Sequence, residues 1–153
     1  GHHFAGRNNQ FYRLLQDSGL TPRLYAPTED RTLLEIGYGI TNIVARPSAG
    51  ASELSGAELA EGAVALRRKI ALYRPKVACF LGKDIYRAYA GLKPSAHIEY
   101  GVQHSSLLPP VVDFVAPNPS SRSTVPYEER LQWFRALRGV VEGQSGPAEG
   151  PGL

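Results

Sequence analysis

The sequence contains no methionine and one cysteine. A lone Cys79 excludes an intramolecular disulfide and a four-thiolate iron–sulfur site. Its setting, the apolar run "VACFLG", predicts a small buried core residue. No apolar run approaches the roughly 20 residues of a membrane-spanning helix. No positive–apolar–small leader pattern opens the chain. A cytoplasmic protein with no membrane partner is expected, or a nuclear one in a eukaryote. Charged residues make up only 20%, too few and too mixed for a disordered polyelectrolyte. There is no GxSxG and no GxxxxGK[ST], which removes the nucleophile elbow and the P-loop. No Cys/His/carboxylate set stands at zinc spacing, so neither a metal nor another cofactor is expected. The missing initiator methionine leads us to expect a piece of a longer protein.

What remains is 153 residues, one domain's length, with 42% hydrophobic residues and a net charge of +3. So mild a basic excess fits plain solubility or a polyanionic partner, and only its clustering can separate the two.

The sequence pattern alternates helices with short strands. A first helix is expected from about Asn8 to Ser18, with Phe11, Leu14 and Leu15 inward and Gly19 at its end. A short helix starting at Thr28 should bury Leu33 and Leu34. Ile40, Ile43 and Val44 read as a strand. The clearest helix follows Ser55, which forms a capping box with Glu58. Its inward stripe is Leu59, Ala63, Leu66, Ile70 and Tyr73. "KVACFLGK" reads as a buried parallel strand ending at Gly82. "KDIYRAYA" reads as a helix, Ile98 to Val102 as a strand, and "VVDFVAPNPS" as a strand entering a Pro-rich loop. The last helix, within "YEERLQWFRALRGVV", turns Leu131, Phe134, Leu137 and Val141 inward. Residues 142–153 read as a disordered tail behind a single domain over 1–141. The expected class is α/β, with a mostly parallel central sheet and helices on both faces.

In such sheets ligands bind beyond the carboxyl ends of the strands. Three loops leave those ends: Ala45 to Leu54, Gly82 to Asp84, and Ala116 to Pro126. In the last, prolines frame Asn118, and Ser120, Ser121 and Ser123 surround Arg122. A stiff loop with hydroxyls and one Arg suits phosphate contacts and insertion into a groove, or is simply a polar turn. Lys83 stands where a strand meets a helix N-terminus, as an anion contact or as a solvated cation. Asn42, between apolar strand residues, offers a donor and an acceptor to a base edge, or is a satisfied structural amide. His2 and His3 are either pocket residues or remnants of a tag; His97 and His104 look ordinary. No residue set suggests a covalent intermediate, so an enzyme of this sequence would activate water by polar positioning.

Four blocks, in order and in register, carry a resemblance: "GHHFAGRNNQFYRLLQDSGLTPR", "YGITNIVARPSAGASELS", "EGAVALRRKIALYRPKVACFLGKDIYRAY" and "PNPSSR". Together they resemble the mismatch-specific uracil/thymine DNA glycosylase family, within the uracil-DNA glycosylase superfamily, over roughly Gly1 to Val141. The resemblance implies a three-layer α/β fold. It also implies a monofunctional, monomeric base-excision repair enzyme. Such an enzyme flips uracil, or mispaired thymine, from G·U or G·T duplex DNA and hydrolyses the N-glycosidic bond, leaving an abasic site as product. Phe4 then matches the aromatic that stacks on the flipped base, His3 the pocket histidine beside it, and Asn9 a small polar pocket residue. Asn42 matches the pocket amide that contacts the base, and Ser48 a hydroxyl that helps hold the water. The catalytic assignments are therefore Ser48, His3 and Asn42. Asn118, Ser120, Ser121 and Arg122 resemble the loop that fills the vacated stack and contacts phosphate, with Lys83 on the DNA backbone. The family's first motif, Gly-Ile-Asn-Pro-Gly, whose Asn positions the attacking water, does not occur in this sequence. The alternative expectation is therefore an impaired relative or fragment that only binds mismatched or abasic DNA. A small-molecule α/β hydrolase is a third.

Overall fold

Hydrophobic periodicity becomes helix wherever an apolar stripe can meet the sheet. The structure, a computed structural model, describes residues 9–41, 56–120 and 123–145. Helix α1 spans Phe11–Asp17 and buries Phe11, Tyr12, Leu14 and Leu15. Its first turn is closed by Asn9 Oδ1, which accepts from the Phe11 N–H at 2.9 Å. Beyond it, Gly19 takes a φ of +83°, the left-handed conformation that ends helices.

A 3-10 segment, Pro27–Ile36, follows. Leu33 is fully buried there, whereas Leu34, expected inward, is 65% exposed. The tighter repeat of three residues per turn separates neighbouring side chains by about 120°, so one of an adjacent pair must face out. The Glu29 carboxylate accepts from the Ala26 N–H and pairs with Arg23 at 2.6 Å. That pairing, with the Ala26 bond second, lowers its pKa to about 2.

Helix α2 spans Gly56–Tyr73 and buries Ala63, Leu66 and Ile70. Leu59 is half-buried and Tyr73 is exposed. The expected stripe is therefore covered in its middle and runs out at the last turn, where α2 overruns the core. Ser55 of the expected capping box, and Ile43 and Val44 of the expected strand, lie outside the described residues. Ile40, the strand's first residue, is not in a strand; it packs half-buried against the core.

Strand β1 is Val77–Leu81, helix α3 Lys83–Ala90, strand β2 Gly101–Val102, strand β3 Val112–Ala116, and helix α4 Tyr127–Ser145. β1 pairs parallel with β3, from Val77 opposite Val112 to Leu81 opposite Ala116. β2 pairs antiparallel with β3, Gly101 opposite Val115. The order is β1–β3–β2. Among the described residues the sheet is thus small and mixed, which does not by itself confirm the mostly parallel sheet expected. The cause is connection length: β1 to β3 has room for α3 as a crossover. The link 103–111 is shorter than the roughly dozen residues a parallel return needs. The expected strand from Ile98 shrinks to Gly101–Val102, and Ile98 enters the core instead.

Side-chain alternation splits the core in two. Phe114 and Ala116 of β3 pack with Phe11, Leu14, Leu131, Phe134 and Leu137, beneath α1 and α4. Ala78, Phe80 and Val115 pack with Leu66, Ile70, Tyr86 and Tyr89, beneath α2 and α3. Helices therefore cover both sheet faces, as an α/β fold requires. Cys79 packs against the first cluster, and burial pushes its thiol up to about 12. The last helix continues to Ser145, past the expected boundary at Val141. An Arg138–Glu142 pair at 3.3 Å, one helical turn apart, bridges that boundary. Residues 146–153 lie outside the described residues. Among the described residues no helix is long and apolar enough to cross a membrane.

Candidate active site

Because β1 and β3 are parallel and in register, their carboxyl ends coincide, with Leu81 beside Ala116. Two of the expected functional loops, 82–84 and 116–126, therefore leave the sheet side by side, with Ala116 itself the last residue of β3. The third, 45–54, lies outside the described residues. Its approach ends at Thr41, whose hydroxyl accepts from Lys69 Nζ of α2 at 3.0 Å.

Gly82 joins β1 to α3 with a φ of +132°, a conformation L side chains rarely adopt. This sharp turn puts Lys83 at the first position of α3. Its ammonium sits 4.4 Å from the centre of the Tyr100 ring, and Tyr100 leans on Trp133 of α4 at 5.8 Å. Tyr100 immediately precedes β2, on the far side of β3. Lys83 thus reaches across the end of the central strand.

The described parts of the loop after β3, 117–120 and 123–126, are tied down for identifiable reasons. Pro117 and Pro119 are fully buried. Between them Asn118 Oδ1 accepts from the Ser120 N–H at 2.8 Å, a side chain standing in for a backbone turn. Ser120 O accepts from the Ser123 N–H at 3.0 Å, and Ser123 Oγ from the Val125 N–H at 3.2 Å.

Onto this loop the start of the chain is laid down as a short antiparallel bridge, Asn9 against Ser120. The adjacent Gln10 N–H donates to Pro119 O at 3.0 Å. Two blocks at opposite ends of the sequence are in direct backbone contact.

Arg130 underlies that junction. It projects from the first turns of α4 and is 4% exposed. Nη1 donates to Pro119 O at 3.1 Å and to Ser120 O at 3.2 Å, and Nη2 donates to Gln10 Oε1 at 2.7 Å. Its Nε has no acceptor among the described residues. Desolvation lowers the guanidinium pKa, and the nearby Tyr127 acts against that shift. An arginine nevertheless stays charged, so a fixed cation lies directly under the Ser120 turn.

A family model described as the uracil DNA glycosylase superfamily matches residues 1–139. The match takes in every element from α1 to β3 and most of α4. The chain belongs to the uracil DNA glycosylase superfamily. Members of this superfamily are DNA N-glycosylases, hydrolases of base excision repair, and membership points to that activity and to DNA as the partner.

In this superfamily member the structure brings together Asn9, Asn118 and Ser120, with Lys83 on the neighbouring strand end. Ser121 and Arg122, beside Ser120, lie outside the described residues, as do His3, Phe4, Asn42 and Ser48. The Asn9 side-chain oxygen caps α1. Sequence reasoning missed Arg130, though a signal existed. Arg130, Phe134, Leu137 and Val141 follow one another at helical spacing, so the charge sits within the apolar stripe. It missed Gln10 as well, whose amide carries no pattern of its own. Asp113 was legible as a carboxylate inside "VVDFV", and it is buried. Its Oδ2 accepts from the Tyr86 hydroxyl at 3.0 Å. It stands three residues back from Ala116 on the α2/α3 face, about 10 Å from the loop end by strand rise. His97 and Glu99 are both exposed and 3.9 Å apart. Among the described residues no His, Cys, Asp and Glu side chains group as a metal site.

Proposed function

We propose that this chain is the core of a mismatch-directed DNA glycosylase that removes uracil, and also thymine, opposite guanine, leaving an abasic site without cutting the strand. The observation that supports it best is the Asn9–Ser120 bridge at the carboxyl end of the β1–β3 pair. It joins the segment carrying His3 and Phe4 to the loop carrying Ser121 and Arg122. A pocket wall and a groove-entering loop on one seam suit an enzyme that extracts a base and fills the gap behind it.

The chemistry sets the division of labour. A base inside the stack cannot be reached, so extrusion costs a few kcal/mol, least at a mispair. The loop 118–122 offsets that cost by occupying the vacated space, and Lys83 and Arg122 neutralise backbone phosphates. As the glycosidic bond breaks, the sugar becomes cationic and the base anionic. Amide and backbone donors aimed at the base stabilise that charge as it forms. In this reading Phe4 stacks on the base, Asn42 contacts its edge, and Ser48 and His3 hold the attacking water.

The test is single-turnover base release from G·U, G·T and A·U duplexes and from single-stranded uracil DNA. A version extended upstream to carry Gly-Ile-Asn-Pro-Gly is assayed beside this chain. Release from G·U ahead of A·U supports the reading. Salt-sensitive binding to mismatched or abasic duplex, with no release by either version, replaces it with a binding module.

A further inference from the structure

We propose that Arg130 is a positioning residue, whose guanidinium clamps the Gln10 segment to the Pro119–Ser120 turn and so fixes the distance between the base pocket and the DNA-facing loop. Its consequence for DNA rests on the glycosylase reading above; its geometry does not.

Three observations carry it. One side chain makes three bonds, to Pro119 O, Ser120 O and Gln10 Oε1, on two segments far apart in the chain. The planar fork suits this work because its donors diverge in fixed directions, which a lysine ammonium cannot reproduce. The second is cost. A cation at 4% exposure is expensive to bury, and among the described residues no carboxylate is paired with it. Three carbonyl oxygens satisfy it, with the centre of the Tyr127 ring 5.6 Å away, so the bonds to the loop compensate for burial and cannot be loosened cheaply. The third is redundancy. The Gln10 N–H bond to Pro119 O shares its acceptor with Arg130 Nη1. The two lock one carbonyl from both sides, and the Asn9–Ser120 bridge lies next to it.

Packing alone would make Arg130 replaceable by an apolar side chain of similar length. Positioning makes it irreplaceable by methionine and only partly replaceable by lysine. The first measurement needs no DNA: hydrogen exchange of the Gln10 amide in wild type, Arg130→Met and Arg130→Lys, read against the core amides of Phe80 and Val115. Gln10 exchange should rise by about 10-fold or more in Arg130→Met, with the core amides unchanged, and by less in Arg130→Lys. Base release from G·U duplex at saturating enzyme should fall by about 10- to 100-fold in Arg130→Met, with partial rescue by lysine.

Where Arg130→Met does not fold, Gln10→Ala removes a single acceptor and should slow release by about 3- to 10-fold with the melting temperature held within a few degrees. Gln10 exchange that rises only in step with Phe80 and Val115 overturns the proposal, as does wild-type release by Arg130→Met. If the wild-type chain neither binds DNA nor releases base, the glycosylase reading falls. The exchange readout then still upholds or overturns the clamp by itself.

Discussion

Tyr86 donates its hydroxyl to Asp113 Oδ2 across 3.0 Å, in the layer between the sheet and helix α3. The Leu107 N–H approaches the same oxygen at 3.4 Å. The other carboxylate oxygen, Oδ1, has no partner among the described residues. Tyr89 of α3, Ser106, and Arg67 of α2, which donates to Tyr89 O at 2.7 Å, belong to the same polar surroundings. Burial raises the Asp113 pKa above the usual carboxylate range, against Leu107, Tyr86 and Ser106, whose hydrogen-bonding groups lower it.

A raised carboxyl pKa means that the folded state holds its proton more tightly than the unfolded chain does. Its stabilising effect is complete below the unfolded value and is lost as pH rises through the folded one. Stability measured by urea unfolding should therefore fall for the wild type as pH rises above the ordinary carboxylate range, relative to Asp113→Asn. Parallel profiles for the two proteins would remove the assignment.

Tyr86→Phe takes away the donor and leaves the carboxylate buried. It should cost about 1.5–3 kcal/mol at pH 7 and less at pH 4. Urea titrations at the two pH values measure the difference, and an equal cost at both would mean that the hydroxyl matters only through packing.

Gly101→Ala should destabilise the chain by about 1–3 kcal/mol. The backbone there has a φ of +101°, and an added Cβ would stand 3.2 Å from the Trp133 ring. Thermal unfolding followed by Trp133 fluorescence measures it. A neutral outcome would show that Trp133 and the turn into β2 move freely.

Lys83→Met separates two roles. Contact with a phosphate predicts weaker binding to abasic duplex and a salt slope smaller by about one. A role confined to the Tyr100 ring predicts only a small loss of stability, about 0.5–1 kcal/mol. Affinity at several salt concentrations distinguishes them.

Arg122→Ala should shorten residence on abasic DNA more than it slows bond cleavage, because in the proposed reading this side chain fills the vacated stack and acts after extrusion. Comparing the dissociation rate with the single-turnover rate tests this. Equal losses in both would place Arg122 in the chemistry.

The sequence made much of this fold legible, for physical reasons that differ by element. α4 and the middle of α2 declared themselves because their apolar stripes are long and meet a sheet. Gly82 marked the end of β1 because the turn there needs a backbone only glycine adopts easily. The direction of β2 was hidden, since a two-residue strand has no period to read. Leu34 misled because a 3-10 repeat and an α repeat look alike over two residues. At the site, the Pro-framed Asn118 announced a rigid loop. The partnership of Asn9 with Ser120 could not be read from spacing, because contacts between chain ends leave no local pattern. Arg130 was visible only as a charge in the wrong stripe.

The Asn9–Ser120 bridge also bears on folding order. Closing a loop nearly as long as the domain is entropically slow compared with forming a helix or the β1–α3–β3 unit. On this argument the Pro119–Ser120 turn and the Asn9 segment are expected to meet late, as α1 docks. In that order the seam and the α1 half of the first core cluster form together, as Phe11, Leu14 and Leu15 come to rest on Phe114 and Ala116.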